Sequence, residues 1–581
     1  MKRKAPRLRL VLLPALLLAA VAAGFAGCRN DAPTSTPADD PAEPDLFRDV
    51  TRESGVNFTY RNGEEAGRFY ILETLGGGVA LFDYDGDGLL DIFLVGGGSF
   101  EGTQVRGLPN RLYKNLGGLK FKDVTAEVGL DRPLFYGHGC AVADFDRDGH
   151  PDLLVTGFGR VALYRNEDNG KGGRRFVEVT ERAGLRADGW CTSAAWADLD
   201  GDGYPDLYIC RYVDWSPERD RPCASADGKR RDICPPANFD AVPHLLYRNN
   251  GDGTFTDVSR AAGLRVTGPR KEFGKGLGVL AVDFNRDGRP ELYVANDTTD
   301  KFLYLNRSKP GAIRLEEIGL GSGVARDNNG AANGSMGVAV GDYDRCGWPS
   351  IFVTNYEDEL HALYRHERRA DPLAFRFSAQ AAGLGALGTS YVGWGAGFFD
   401  LENRGWENLF IANGHANFFP RGGGSRFQRP VLLHNEGDGR FRDDSRRGGP
   451  YFRREHNGRG VAFGDLDNDG KIDLVVSHLN EPVVLLRNEA GAGHHWLGVE
   501  LASADHRDLV GARVVLEVGG VRMTRFHQGG GSYLSSGDRR QVFGLGDSTE
   551  TGRLTVHWPS GRVQHWDGLP IDRYTPLVEG E

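Results

Sequence analysis

Apolar positions along this chain fall in short paired runs, not at helical spacing. GGGVALF, HGCAVA, TSAAWA, GLGVLAV, MGVAVG, GAGFF and GVAFG each precede a polar nine-residue stretch, and DIFLV, DLLVT, DLYIC, ELYVA, SIFVT, NLFIA and DLVVS each follow one. Short apolar runs bounded by turn residues predict β-strands, and two runs flanking one polar loop predict a hairpin. The polar stretch repeats as D-x-D-x-D-G-x-x-D. It reads DYDGDGLLD from Asp83, DFDRDGHPD from Asp144, DLDGDGYPD from Asp198, DFNRDGRPE from Asp283 and DLDNDGKID from Asp465. Two degraded copies, DYDRCGWPS from Asp342 and DLENRGWEN from Asp400, complete a set of seven. Start-to-start spacings are 61, 54, 85, 59, 58 and 65 residues, and a second signature, as in FKDVTAEVGL and FTDVSRAAGL, lies between most neighbours.

Seven equal β units imply radial or linear repetition. Gly and Ala concentrate in the strand before each loop, as expected where innermost strands converge on an axis. FRDVT at 47–51 stands ahead of the first loop, while the seventh is followed by LLRNEAGAG and a change of pattern. An N-terminal strand is thus free to complete the last blade. The fold class predicted is all-β: a seven-bladed β-propeller over 46–490, with a small β-sandwich-like domain over 491–581. An open β-solenoid would not need the displaced first strand. In the C-terminal part, Gly519-Gly520 between two alternating runs predicts a hairpin turn.

The acidic loops carry the most specific chemistry. Alternate carboxylates, a Gly for the turn and a fourth carboxylate at position nine supply hard oxygen ligands of the kind calcium takes. An EF-hand needs Glu at position twelve, where this chain has Leu94, Val155, Ile209, Val294 and Val476. The candidate calcium ligands are therefore those of hairpin loops: Asp83, Asp85, Asp87 and Asp91; Asp144, Asp146, Asp148 and Asp152; Asp198, Asp200, Asp202 and Asp206; Asp283, Asn285, Asp287 and Glu291; Asp465, Asp467, Asp469 and Asp473. About five Ca²⁺ ions are expected. Loop five, with Cys346 and Ser350 at later ligand positions, is expected to bind weakly or not at all. In loop six Arg404 is placed to substitute for the cation by internal pairing.

If the loops share one rim, the opposite rim gathers Tyr136, His138, Lys275, Asn296, Asp297, Asn355, Tyr356, Asn413, His415, His478 and Asn480. This ring is a candidate ligand site, although Asn and Asp at single positions serve equally well as strand-end caps. The adjacent His494 and His495 sit at the domain junction, pointing opposite ways if they lie in a strand.

The N-terminus reads as an address. Lys2, Arg3, Lys4, Arg7 and Arg9 precede an apolar run from Leu10 to Ala23, then Phe25-Ala26-Gly27-Cys28. Residues 1–27 are expected to be a secretory signal, Cys28 a lipidated first residue, and 28–45 a flexible Pro-rich tether. The protein is then an outer-membrane or cell-surface lipoprotein, or else secreted or periplasmic. Its only expected membrane attachment is through the lipidated Cys28. In an oxidising compartment disulfides are allowed, and Cys223 and Cys234, inside the long third interval, are placed to staple it. Cys191 and Cys210 flank one hairpin, but counting outward from its loop sets Cys191 opposite Val213, which disfavours a bridge.

Net charge is −10, and losing the five basic residues of the signal leaves −15. That acidity excludes the basic face expected of a nucleic-acid binder. Gly is 83 of 581 residues, in keeping with a turn-rich chain.

The loops and their flanking strands resemble the FG-GAP/VCBS repeats of integrin α-chain propellers. GKGLGV (274–279), ANDTT (295–299), MGVAVGDYD (336–344) and IANGH (411–415) are similar to bacterial relatives of cartilage acidic protein. Residues 494–580, with VGARVVLEVGGVRMTRF, GGGSYLSSGD, VFGLGD and LTVHWPSGRVQHW, resemble the ASPIC/UnbV domain. The resemblance implies calcium binding and extracellular placement, and it implies no agreed reaction. The chain has no G-x-S-x-G, H-E-x-x-H, P-loop or dinucleotide fingerprint. The favoured function is an exported calcium-binding surface scaffold for a protein or glycan partner. The alternative is an extracytoplasmic hydrolase or oxidoreductase with its site on the propeller axis.

Overall fold

The computed structural model describes residues 44–265 and 273–581. The signal, Cys28 and all but the last two residues of the tether lie outside them. Residues 45–581 form one compact unit. Among the described residues no helix is long and apolar enough to cross a membrane.

Seven antiparallel four-stranded units are built in chain order. Their inner strands are Val79–Phe82, Tyr136–Ala143, Gly189–Ala197, Gly276–Val282, Ser335–Gly341, Gly393–Phe399 and Gly458–Gly464. Each inner strand lies against the next, and the seventh lies against the first, so the strands close a ring. Blades two and three also share hydrogen-bonded residues, Gly189 opposite Gly159 and Trp190 opposite Phe158. The ring is locked as the sequence predicts. Phe47–Asp49 forms the outer strand of blade seven, with Phe47 opposite Asn488 and Asp49 opposite Leu486. Apolar clusters fill the spaces between adjacent blades; Val79, Ile92 and Tyr113 of blade one, for example, pack on Ala462, Val475 and Leu485 of blade seven.

The C-terminal part is a sandwich of two sheets. One contains His495–Ser503 between Gln541–Gly546 and Tyr574–Glu579. The other runs Val521–Phe526, Arg513–Val518, Arg553–His557, Val563–Asp567. Val518 pairs with Val521 across Gly519 and Gly520, whose φ values of 57° and 79° suit the predicted tight turn.

The sandwich is not an appended module. From the end of Val521–Phe526 the chain leaves it and runs into the propeller axis. Gly529–Gly530 pairs with the inner strand of blade four, the Val338 N–H donates to the Ser532 carbonyl at 2.9 Å, and the Leu81 N–H to the Ser536 carbonyl at 2.9 Å. At its tip Leu534 accepts from the Cys140 N–H at 3.0 Å, and the Tyr533 hydroxyl donates to the Leu75 carbonyl at 3.0 Å. Tyr533 and Leu534 have no exposed surface and pack in an axial cluster with Tyr60, Leu72, Trp190 and Trp394. The small residues of the inner strands thus serve two ends. A Cβ on Gly337 would stand 2.0 Å from the Trp394 carbonyl oxygen of the next blade, and one on Gly78 would stand 1.7 Å from the Leu534 carbonyl oxygen of the plug.

Cys223 and Cys234 are disulfide-bonded, stapling the insertion that brings Trp215 and Ile233 into the axial cluster. Cys191 faces Arg211 and not the expected Val213: the loop-side register would set it opposite Tyr212, and a β-bulge between Cys191 and Ala194 shifts it by one more residue. Both Cys191 and Cys210 are buried thiols.

Tyr533→Ala should destabilise the protein by about 3–5 kcal/mol, as expected for truncating a large buried ring. In equilibrium denaturation this reads as a lower midpoint with an unchanged slope. An unaffected midpoint would mean that the plug does not support the ring.

Candidate metal centres of the loop rim

Each acidic loop is shaped by its own carboxylates. In loop one, Asp83 at position one accepts from the N–H groups of Gly86, Asp87 and Gly88 at 2.8, 3.2 and 2.7 Å, which holds the turn. Position nine works between strands. Asp91 accepts from the Tyr84 N–H at 3.0 Å with one oxygen and from the Asn115 N–H at 2.7 Å with the other. Asp152, Asp206 and Asp473 repeat this pattern, and all four residues are buried.

Positions one, three and nine converge. Their oxygens lie within 4.8 Å of one another in Asp83/Asp85/Asp91, Asp144/Asp146/Asp152, Asp198/Asp200/Asp206 and Asp465/Asp467/Asp473. Position five braces the turn with one oxygen. Asp87, Asp148, Asp202, Asp287 and Asp469 each accept the N–H two residues ahead, at 2.9 to 3.0 Å. In loop four Asn285 leaves Asp283 and Glu291 without an acidic third, and its Nδ2 donates to Glu291 at 3.3 Å. Loop five, expected to be the weak one, does bring Asp342, Asp344 and Cys346 together. Burial, aided by the two carboxylates, pushes the Cys346 thiol up to about 12, so it offers a neutral sulfur.

One observation bears directly on a cation. Oδ1 of Asp85, Asp146, Asp344 and Asp467, all at position three, is buried and has no hydrogen-bond partner. A buried unpaired carboxylate oxygen costs more than an exposed one, and a bound cation would relieve that cost. The second oxygen of this residue faces a cation on the third strand: Arg165 at 2.6 Å from Asp146, Arg365 at 2.6 Å from Asp344, Arg487 at 3.0 Å from Asp467, and Lys114 beside Asp85.

The residue after that cation was missed in the sequence. Asn115 Nδ2 donates to the Leu466 carbonyl of the preceding blade's loop at 2.8 Å and to the Leu90 carbonyl of its own at 3.0 Å. The same bond to the previous loop recurs from Asn166 to Tyr84, Asn249 to Phe145, Asn306 to Leu199, Asn435 to Tyr343 and Asn488 to Leu401, at 2.8 to 2.9 Å. In blade five His366 Nε2 takes its place, 3.0 Å from the Phe284 carbonyl. The dipeptides KN, RN, LN and HN, with RH in blade five, after the LLY- or LYL-like runs were the available signal.

The sandwich docks on this rim. Tyr574 donates to Asp465 Oδ2 at 2.8 Å, Arg540 to the Asp465 carbonyl at 2.8 Å, and the Asp198 N–H donates to Asp508 at 2.9 Å. In loop six the expected internal counter-ion is not Arg404, whose side chain is exposed. Buried Arg525 of the sandwich takes that role, 3.5 Å from Glu407, and its charge also favours the ionised forms of Asp342 and Asp400. The interior can spare Arg404 because Arg525 enters from a residue far along the chain.

The opposite rim is closed, which corrects the reading of a ligand mouth. His138, Lys275, Asn296, Asp297, Asn355, Asn413, His415 and His478 are all buried. Asn296, Asn355 and Asn413 donate to the carbonyls of Asp300, Leu360 and Arg429, at 2.8, 2.6 and 2.8 Å, as strand-end caps. Lys275 Nζ donates to the Pro236 carbonyl of the insertion at 2.8 Å. Tyr212 donates to Asp297 at 2.5 Å, and His415 Nε2 lies 3.2 Å from Glu357. Burial depresses His138 to about 4 and His478 to about 3, so both rings are neutral. Of the junction pair, His494 faces Glu402 and His495 faces Asp572 at 2.8 Å.

Burial, reinforced by neighbouring carboxylates, raises Asp91 and Asp342 to about 8, Asp198 to about 7, and Asp144 and Asp283 to about 6. These groups bind protons in the folded state that the unfolded chain, at an ordinary carboxylate pKa of about 3.9, has released. The cation-free protein should therefore lose stability as pH rises from about 4 to about 8. Melting of chelator-treated protein across that range checks the sign; a stability that climbs with pH would contradict the burial of these clusters.

Comparison with known proteins follows the same division. The profile described as FG-GAP-like repeat matches residues 83–155, 144–209, 243–294 and 400–476, and the profile described as ASPIC and UnbV matches 502–581. Cartilage acidic protein 1 of Xenopus tropicalis is 25% identical over 537 residues, covering 90% of this chain and 67% of that protein. The Homo sapiens protein is 25% identical over 527 residues, covering 86% and 63%. The chain thus spans about two thirds of the length of these relatives. An Agrocybe aegerita lectin that recognises non-reducing terminal N-acetylglucosamine aligns at 15% identity and a TM-score of 0.36, over 70% of this chain and 87% of its own. The rhamnogalacturonan lyase YesX aligns at 12% identity and a TM-score of 0.28, over 74% and 91%. The chain is an all-β propeller that carries FG-GAP repeats and an ASPIC/UnbV domain, and it is homologous to cartilage acidic protein 1.

Proposed function

We propose that this protein is an exported, calcium-stabilised scaffold that presents the outside of its blades and its C-terminal sandwich to a protein or glycan partner. The observation that carries the calcium reading is the buried, unpartnered position-three oxygen in loops one, two and seven. It sits beside two further carboxylates in each loop, and oxygen-only clusters of this kind suit calcium. Loop three joins these by its Asp198/Asp200/Asp206 group, and loop four would join them through Asp283 and Glu291. Homology to cartilage acidic protein 1 supports a binding role outside the cell. A partner surface on the blade exteriors accords with a closed upper rim and a plugged axis. The alternative of an enzyme working in an axial channel has no space at the level of Tyr533 and Leu534, which fill it.

The mature protein should retain about four to five calcium ions per chain by elemental analysis. Chelation should lower the melting temperature, because an ion held only by the folded state stabilises it by about 2.7 kcal/mol at a hundredfold excess over its Kd. Asp85→Ala should remove one ion and leave the rest; retention of every ion would overturn the ligand assignment. For the address, Cys28→Ala should move the protein from the membrane fraction to the soluble one. An unchanged distribution would overturn lipid anchoring.

A further inference from the structure

In loop five a sulfur stands among the carboxylates. Its position-five residue is Cys346, where loops one to four and loop seven have Asp87, Asp148, Asp202, Asp287 and Asp469. Those aspartates each accept the N–H two residues ahead. The Cys346 thiol instead donates weakly to the Trp348 carbonyl at 3.6 Å, which leaves the sulfur lone pairs free. Sγ and one carboxylate oxygen from each of Asp342 and Asp344 lie within 4.8 Å of one another.

Position nine is changed as well. In loops one, two, three and seven a buried aspartate fills it and completes the oxygen cluster. Here it is Ser350, fully buried, whose hydroxyl accepts from the His366 N–H at 3.3 Å. Loop five therefore offers two carboxylates and one sulfur in place of three carboxylates.

A separate observation shows that this cluster is short of a partner. The Asp344 side chain is only 7% exposed. Arg365 holds its Oδ2 at 2.6 Å, while Oδ1 is buried and has no hydrogen-bond partner. Burying a carboxylate oxygen without a partner is costly. Asp342 is buried too, its two oxygens sharing the Gly347 N–H at 2.9 Å. Cys346 is only half-buried, so the cluster is not sealed from solvent.

We propose that loop five binds one zinc-class divalent ion through Asp342, Asp344 Oδ1 and Cys346 Sγ. Calcium takes six to eight oxygens, whereas thiolate with carboxylate suits zinc. Zinc bonds of about 2.0–2.2 Å to oxygen and about 2.3 Å to sulfur set tetrahedral ligands about 3.4–3.5 Å apart, a spacing that the 4.8 Å limit admits. Three ligands from the chain leave the fourth position to water. Binding forms the sulfur–zinc bond and sends the thiol proton to solvent. The other acidic loops contain no sulfur, so zinc in loop five and calcium elsewhere stand or fall separately.

The test uses the full mature chain, stripped by chelator, saturated with calcium, and dialysed against micromolar zinc. Elemental analysis counts both metals and should find one zinc per chain beside unchanged calcium. Cobalt(II) in place of zinc should give a thiolate-to-metal charge-transfer band in the near ultraviolet. Cys346→Ser, which keeps the side chain's shape, should cut zinc retention at least tenfold and abolish that band. It should leave calcium content and melting in calcium unchanged. Should Cys346→Ser fail to fold, the cobalt band of the wild type still decides. Absence of retained zinc in the wild type, equal retention in Cys346→Ser, or cobalt bound without the band would each overturn the proposal. Calcium missing beside retained zinc would overturn the reading of the other loops and leave this one standing.

Discussion

The propeller depends on one repeated hydrogen bond: the side-chain amide at the end of each third strand, donated to a carbonyl in the previous blade's loop. Six asparagines and His366 make it, and together they run once around the ring. The backbone N–H of the same residue is held by the position-nine side chain of its own loop in blades one, two, three and seven. One short segment therefore fixes its loop internally and binds it to its neighbour. Each such bond contributes only about 0.5–1.5 kcal/mol net, but breaking one leaves a buried carbonyl unpaired at a cost of about 1–3 kcal/mol. The constraint is cooperative because every blade donates to the loop before it and accepts in its own loop from the blade after it.

That clasp brings carboxylates together and buries them, which sets the electrostatic problem of the molecule. Position nine must be buried to serve two backbone donors. Positions one and three then crowd it, and burial pushes Asp91, Asp198 and Asp465 toward the protonated form. The third-strand Lys or Arg neutralises one oxygen of position three and leaves the other without a partner. Loop six meets the same problem differently. There Arg525 enters from the sandwich beside Glu407, and the Asp342 N–H bonds to Glu407 at 2.6 Å.

Docking on the loop rim also explains the plugged axis. The segment after Phe526 completes hydrogen bonds that inner strands would otherwise leave open toward the axis, and its side chains replace water there. The chain leaving the sandwich consequently becomes part of the propeller's axial cluster at Tyr533 and Leu534.

Much of this was legible in local sequence. Repeat number, the hairpin around each acidic loop, the closing strand at Phe47, the Gly519-Gly520 turn and the Cys223–Cys234 bridge all follow from residues near one another in the chain or from a period repeated along it. Backbone conformation and short loops are governed by such neighbours, so they leave a readable trace. What the tertiary structure alone decided was which polar groups face each other. GGGSYLSSGD has no hydrophobic period to mark it as an axial plug, and the bulge that moves Cys191 opposite Arg211 is invisible to counting. His138, His415 and His478 look like a ligand rim until Tyr60 packs beside the first, Tyr356 and Glu357 beside the second, and Tyr451 and His456 beside the third. Arg525 and Glu407 lie over a hundred residues apart, and only packing in three dimensions makes one the counter-ion of the other.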